Sequence, residues 1–453
     1  MTALFYTLGV VLFFAAILAS IGLHELGHMI PAKAFGGKVT QYFIGFGPTV
    51  WSKKVGETEY GVKAIPLGGY VKIVGMLPPE ATAVADEVTR DADGNQVTRI
   101  RKSNTGMFTQ LISDARAAEW ELVGPDDSDR LFYKLPWWKK VIVMGGGPSV
   151  NILIAFFIFW GVFATYGQHT FEAETGPPVI ASVSQCVLPA DEQQRECTDE
   201  DPVAPAAEAG LKPGDTITSF NGIPITDWDQ LRGLIRGNDD GQAVLGYERD
   251  GQVLTGTTNT TVETRAASDT DETLREVGFL GVSPTTREVV EKGGPIYTVD
   301  QMGTMTVETA EALVHLPTKV WGVARAIVGL EERATDSPVS IVGGGRLAGE
   351  TVSHETFPFQ EKTVFLLMLI AGFNFFIGMF NFVPLLPLDG GHIASALWEA
   401  VRRGAARLRG RPDPGYVDAA KLLPVAYVVA SALLVMGVVL IIGDLVVPLH
   451  IQG

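Results

Sequence analysis

The sequence predicts a polytopic α-helical membrane protein with about four transmembrane helices and β-rich segments between them. Three observations support that class. Of 453 residues, 46% are hydrophobic and mean hydropathy is positive, too apolar for an ordinary soluble multidomain protein. Four apolar stretches, roughly 4–28, 138–166, 362–386 and 422–446, hold most of the excess, and each is long enough to cross a bilayer as a helix. The connecting segments differ in charge, as loops on opposite sides of a membrane do.

The first stretch lacks a basic leader and an Ala-x-Ala cleavage site, so it reads as a retained helix and not as a signal peptide. Lys33, Lys38, Lys53, Lys54, Lys63 and Lys72 follow it, and Lys139 and Lys140 immediately precede the second stretch. Arg402, Arg403, Arg407, Arg409, Arg411 and Lys421 lie between the third and fourth. Both segments are expected in the cytoplasm. From Glu172 to Glu291 there are 23 acidic and 8 basic residues, a balance of −15 against −16 for the whole chain. That block is expected outside, and the net charge gives no reason to expect a nucleic-acid partner. Cys186 and Cys197 both fall in it. In an oxidising compartment a disulfide closing their short loop would contribute about 2–3 kcal/mol, the alternative being two free thiols. Either way they lie on the wrong side of the membrane for a metal site at the end of the first stretch.

His24-Glu25-Leu26-Gly27-His28 ends that first apolar run. Histidines four apart share a helical face, about 6 Å apart along the axis, so their ring nitrogens can converge on one metal. The glutamate between them has the chemistry of a base toward water at such a metal. The pattern also occurs in helices that bind nothing. Here it sits at membrane depth, where ionisable groups are costly without partners, and that favours a metal site. A catalytic zinc usually takes three protein ligands and keeps one open position. His169, His315, His354 and His450 are expected on the far side. The third stretch runs in the same direction as the first, so its end brings Asp389 and His392 to the leaflet of His24 and His28. Asp389-Gly390-Gly391 also reads as a turn closing the span. Chemistry alone leaves the choice between Asp389 and His392 open.

Taken together, these segments resemble the site-2 protease family, of the bacterial regulator-of-sigma-E-protease type. His24 to His28 corresponds to the family's H-E-x-x-H on the first transmembrane helix. Asn381-x-x-Pro384 followed by Leu388-Asp389-Gly390-Gly391-His392 corresponds to its second signature. Leu135-Pro136-Trp137-Trp138-Lys139-Lys140 and Gly147-Pro148-Ser149-Val150-Asn151 resemble the start of its second span. The resemblance implies that Asp389, not His392, is the third zinc ligand, that one Zn²⁺ is bound per chain, and that Asn381, with Pro384 beside it, holds the substrate backbone. It covers about four-fifths of the chain. The insertion from about Pro78 to Asp129 is longer than the family pattern, and a single PDZ-like unit stands where some members carry two. Within the insertion, residues 81–96 are polar, poor in aromatics and predicted mobile.

Gly37 to Met76 alternates apolar and polar residues between turns at Gly45-Phe46-Gly47-Pro48 and Pro66-Leu67-Gly68-Gly69. By itself it reads as a small cytoplasmic β-sheet; the resemblance implies a membrane-associated β element whose strand edge could pair with an unwound substrate. In the acidic block, Ala206 to Gly222 resembles a PDZ core. Phe279-Leu280-Gly281-Val282 resembles the loop that receives a peptide carboxylate, so Gly281 and Val282 are candidate peptide-binding residues. Filling a β-core is their alternative role. Thr304 to Arg333 is expected to form an exoplasmic amphipathic helix. The fold class is thus a polytopic α-helical membrane protein with a membrane-associated β element and an exoplasmic β-rich PDZ-like domain. Its expected segments are 1–30 (first span with the zinc motif), 31–77 (β region), 78–136 (cytoplasmic insertion), 137–167 (second span) and 168–292 (PDZ-like domain). They continue with 293–360 (amphipathic helix and connector), 361–392 (third span with the second signature), 393–421 (cytoplasmic loop) and 422–447 (fourth span).

The resemblance implies an intramembrane zinc endopeptidase in a bacterial inner or plasma membrane, with its active site near the cytoplasmic leaflet. Its expected substrates are single-span membrane proteins such as anti-sigma factors, already trimmed by an upstream site-1 protease. His24, His28 and Asp389 are the expected ligands, Glu25 the base and Asn381 an aid to the reacting carbonyl. A different class, a non-catalytic membrane scaffold or chaperone binding exported peptides through the PDZ-like domain, predicts that Glu25→Ala leaves substrate processing unchanged. A metal transporter would want polar residues along the third and fourth spans, which largely lack them.

Overall fold

The computed structural model of the protein describes residues 2–78, 88–90, 96–98, 107–120, 123–124, 127–188, 197–198, 201–266 and 274–449. It divides into two compact units, one made of residues 1–166 and 293–453 and the other of residues 167–292.

In chain order the first unit begins with α1 (Thr2–Ala34), β1 (Val39–Val55), β2 (Thr58–Ile73), the short strands β3 (Val88–Arg90) and β4 (Gln96–Thr98), α2 (Met107–Trp120) and α3 (Trp137–Thr165). The buried positions of α1 recur at helical spacing, mostly every three or four residues: Gly9, Phe13, Ile17, Ser20, Glu25, His28 and Ala32, with Gly22 and Met29 beside them. Its opposite face is apolar too, with Leu4, Leu8, Val11, Leu12 and Leu23 exposed. A helix apolar all round fits a lipid environment, not water. The helix stops at Gly36, whose φ of +84° is costly for a residue with a Cβ. Sequence alternation gives the β region expected over 31–77, but its pairing is compound. Tyr42 to Ile44 pairs with Tyr60 to Val62 on one side and with Gly69 to Val71 on the other, while Trp51 to Val55 covers Thr58 to Val62. The Gly69–Ile73 segment is therefore an edge, with no further strand beside it among the described residues.

The second unit contains β5 (Gln168–Ala173), β6 (Ile180–Val183), α4 (Pro205–Glu208), β7 (Thr216–Phe220), β8 (Ile223–Pro224), α5 (Trp228–Arg236), β9 (Gln242–Arg249), β10 (Gln252–Asn259), β11 (Thr261–Ala266), β12 (Leu274–Phe279), β13 (Val282–Pro284) and β14 (Thr286–Glu291). A four-stranded sheet runs β10-β9-β7-β8, and paired strands β11-β12, β13-β6 and β14-β5 surround it. Its core gathers Ile180, Ile217, Phe220, Leu231, Leu245 and Leu280. Asp227 caps α5 by accepting from the Gln230 N–H at 2.8 Å, as an N-cap aspartate does. Cys186 and Cys197 are joined by a disulfide.

The first unit resumes with α6 (Pro295–Ile327), α7 (Ile341–Ser353), α8 (Phe359–Asn381), α9 (Asp389–Leu408) and α10 (Leu423–Val446). Among the described residues, four helices are long and apolar enough to cross a membrane: Thr2–Ala34, Trp137–Thr165, Phe359–Asn381 and Ala419–Val446. Four expectations need correction. The third span ends at Asn381 and not at 392, because residues 382–388 carry Pro384 and Pro387 and leave the helix, as proline requires. The expected loop 393–421 is helical as far as Leu408. The connector within 293–360 hides α7, whose Gly343, Gly344, Gly345 and Gly349 argue against helix by propensity. Packing overrides that, since a Cβ at Gly344 would lie 2.7 Å from the Phe373 ring and one at Gly345 equally close to Phe14. The amphipathic helix expected from Thr304 already begins at Pro295, where proline suits the first turn. Of the polar stretch 81–96, only 88–90 and 96 lie within the described residues.

Candidate metal centre

Three helices build the centre. Gly27 of α1 and Gly146 of α3 bring two backbones together: a Cβ at Gly146 would stand 2.0 Å from the Gly27 carbonyl oxygen. Gly147 is the floor beneath the imidazoles, its hypothetical Cβ only 2.3 Å from His28 Nε2 and 2.8 Å from His24 Nε2. Only a residue without a side chain lets α3 approach this closely. The third helix, α9, starts at Asp389. Gly390 and Gly391 allow that start to press on the returning chain, since their Cβ atoms would meet the Val383 carbonyl at 2.2 Å and the Leu386 nitrogen at 2.5 Å.

His28 Nε2 lies 3.2 Å from His24 Nε2, and Asp389 Oδ2 lies 3.3 Å from the first ring and 3.2 Å from the second. The three atoms form a nearly equilateral triangle. Ligands at about 2.0–2.1 Å from a tetrahedral zinc are separated by about 3.3 Å, so the triangle has the dimensions of three zinc ligands. Hydrogen bonding agrees. The Val143 carbonyl can only accept, so His28 Nδ1, 2.8 Å away, carries the proton. Asn151 Oδ1 stands 3.1 Å from His24 Nδ1, and with the amide oxygen accepting there, His24 is protonated on the same nitrogen. Both Nε2 lone pairs then point at a carboxylate, an arrangement that needs a cation between them and repels without one. The donor set and spacing fit Zn²⁺.

The triangle opens on a cavity of about 440 Å³ lined by Glu25, Gly68 to Val71, Asn151, Asn381, Pro387 and His392 among others. Glu25 is buried, and a Cβ at Gly69 would come within 3.0 Å of its Cγ, so the free strand edge passes directly beside it. Asn381 commits one N–H to the Ile377 carbonyl at 3.1 Å. Its carbonyl oxygen forms no hydrogen bond among the described residues. His392, the alternative third ligand, lines the cavity without occupying a corner of the triangle. Pro384 is exposed and lies outside the cavity lining, where Pro387 appears instead. In the second unit Gly281 adopts φ +86° and its carbonyl accepts from the Ser184 N–H at 2.9 Å, while Val282 pairs with Val183. The groove of about 640 Å³ in that unit is lined by Trp228, Arg232, Pro284 and neighbouring residues, and includes neither Gly281 nor Val282. Sequence reading alone gives neither Gly147 nor Asn151 a role. Their four-residue spacing on α3 mirrors that of the histidines and is the available signal.

A multi-pass helical protein with a partly buried His-His-Asp centre and an adjacent glutamate has the make-up of a membrane metallopeptidase. The profile of peptidase family M50 matches residues 12–413, and the chain belongs to that family, the site-2 proteases. Zinc metalloprotease Rip1 of Mycolicibacterium smegmatis is 34% identical over 98% of this chain and 99% of its own length. Zinc metalloprotease Rip1 of Mycobacterium tuberculosis is 33% identical over the same shares. Metalloprotease MmpA of Caulobacter vibrioides is 26% identical over 85% of each chain. The protein is a zinc metalloprotease.

Proposed function

We propose that the protein is an intramembrane endopeptidase that cuts single-span membrane proteins inside the bilayer. The observation that carries this reading is the 3.2–3.3 Å triangle of His24, His28 and Asp389, with Glu25 in the same cavity on a helix apolar enough to span. The three ligands hold one Zn²⁺, which when bound supplies Lewis-acid chemistry toward a peptide carbonyl. Glu25 takes a proton from the attacking water and passes it to the leaving nitrogen. A substrate helix must open before it can be cut, because its carbonyls are shielded by helical hydrogen bonds. The opened segment pairs with the Gly69–Ile73 edge as an added strand, and Asn381 hydrogen-bonds its backbone beside the scissile bond. Pro384 bears on this site only by shaping the turn that carries Asp389 back.

The centre works near the cytoplasmic leaflet of a bacterial inner membrane and the PDZ-like second unit lies outside, an orientation that the arginine-rich segment 402–411 supports by the positive-inside rule. There the acidic unit filters substrates, with Gly281 and Val282 at its peptide-facing loop. Substrates of anti-sigma-factor type, shortened first by a site-1 protease, suit such a filter. The test is a Glu25→Gln variant in membranes. Uncut, outer-trimmed single-span proteins should accumulate on it while zinc content stays at one per chain. Unchanged processing in Glu25→Gln and Glu25→Ala would leave the non-catalytic scaffold in its place.

A further inference from the structure

We propose that α9 is an interfacial helix, that its arginines and those just past its end take the headgroups of anionic phospholipids, and that this contact holds Asp389 in the ligand triangle. The second half rests on the metal-centre reading above; the first does not. The buried face of α9 carries Ala396 and Glu399. On the other side Trp398 and Val401 are each 58% exposed and Leu408 90%, with Leu397 beside them. At 100° per residue, Leu397, Val401 and Leu408 fall within roughly 40° of one another, with Trp398 at one border and Arg402 and Arg409 beyond it. An apolar stripe edged by arginine is the pattern of a helix lying at a membrane surface.

The depth of the stripe can be read from its neighbours. Glu399 pairs with Lys140 at 2.8 Å, both side chains almost wholly buried. Lys140 belongs to the first turn of α3, next to the exposed Trp137 and Trp138. Trp398 is thus level with a tryptophan pair at the end of a span, where aromatic residues mark the interface. One to three turns farther on come the cations. Arg403 is engaged by Glu399 at 3.2 Å and Asp413 at 3.3 Å, and Arg402 donates to the Pro414 carbonyl at 3.1 Å. Arg407, Arg409 and Arg411 are exposed and form no ion pair among the described residues. Cations one to three turns outside an aromatic belt lie at headgroup depth, and phosphate-rich anionic lipid is the complementary partner. Because Asp389 is the first residue of this helix, a force that fixes its basic end also fixes the third ligand.

The experiment uses the full chain in nanodiscs of phosphatidylcholine alone or mixed with phosphatidylglycerol. It compares wild type with Arg402/Arg407/Arg409/Arg411→Gln and with the same four changed to Lys. Retained phosphatidylglycerol is read by native mass spectrometry and zinc retention by chelator competition. Wild type and the lysine variant should retain the anionic lipid, with the glutamine variant weaker by roughly fivefold per charge removed. Zinc should be held more tightly in the mixed discs, except in the glutamine variant. Equal lipid retention by all three proteins overturns the lipid contact, and so does arginine-dependent capture of RNA with no capture of lipid. Arginine-dependent lipid with identical zinc retention in both discs overturns the coupling. A wild type that holds no zinc in any disc defeats the metal-centre reading, while the lipid measurement still decides the contact.

Discussion

At Asn151 one amide oxygen decides which nitrogen of His24 is free to face a metal. Asn151→Leu keeps the branched outline of the side chain and removes the acceptor, so zinc affinity should fall by about 10- to 100-fold, measured by chelator competition on purified protein. Asn151→Asp retains an acceptor and should remain within a few-fold of wild type. The corresponding partner of His28 is the Val143 backbone carbonyl, which no side-chain change can delete. Gly147→Ala places a methyl carbon where His28 Nε2 already stands. The expected outcome is a folded protein without zinc, and normal zinc content in that variant would show that α3 can back away. His24, Glu25 and His28 were legible in the sequence because their chemistry and spacing are local to one helix. Asn151 was not, since its partner lies 127 positions away and only the α1–α3 packing brings them together. Asp389 against His392 was undecidable from residue chemistry, both being good ligands three positions apart. The start of α9 brings Asp389, and not His392, beside both imidazoles.

At the scale of elements, the register of α9 against α3 depends on a charge pair in the protein interior. Lys140 and Glu399 are 7% and 2% exposed. Removing one partner leaves a buried charge uncompensated, at a cost of about 3–5 kcal/mol, whereas replacing both by apolar residues of similar size is often neutral. Glu399→Leu should therefore lower thermal stability and zinc retention, and Lys140→Met added to it should recover most of the loss. A double variant no better than the single one would mean that the pair contributes something other than charge balance. The four spans were readable because an apolar stretch of bilayer length has few other fates. The end of the third span and the helix beyond it were not. Asp389-Gly390-Gly391 has turn composition, yet here the glycines permit a tight approach at a helix start. Helix α7 escaped for a similar reason: four glycines lower its intrinsic propensity, and only their neighbours explain them, Asp444 at Gly343, Phe373 at Gly344, Phe14 at Gly345 and Tyr6 at Gly349.

For the whole molecule, the two units carry different liabilities. Nearly all the net charge lies between Glu172 and Glu291, where Asp215 is buried against Arg249. Burial pushes the Asp215 carboxyl up, but the Arg249 guanidinium, at 2.7 Å, and the Lys212 N–H pull it further down, so it stays below the usual aspartate range. A carboxyl lowered in the folded state stabilises that state above its unfolded value, about pH 4, and the contribution is lost as pH falls through the lower folded value. Acid melts of the full chain should show the second unit losing stability below about pH 4, and Asp215→Asn should flatten that slope. An unchanged slope would assign the acid sensitivity to other carboxylates. The rest of the chain is nearly neutral, and the membrane unit holds ion pairs in its interior, as at Lys140–Glu399 and Arg333–Asp444.

The proposed peptidase requires α1 and α9 to supply one metal jointly. Zinc stoichiometry of purified Asp389→Ala and His392→Ala, beside wild type, tests that most directly. One zinc per chain is expected in wild type and in His392→Ala, with little or none in Asp389→Ala. Zinc retained by Asp389→Ala and lost from His392→Ala would contradict it.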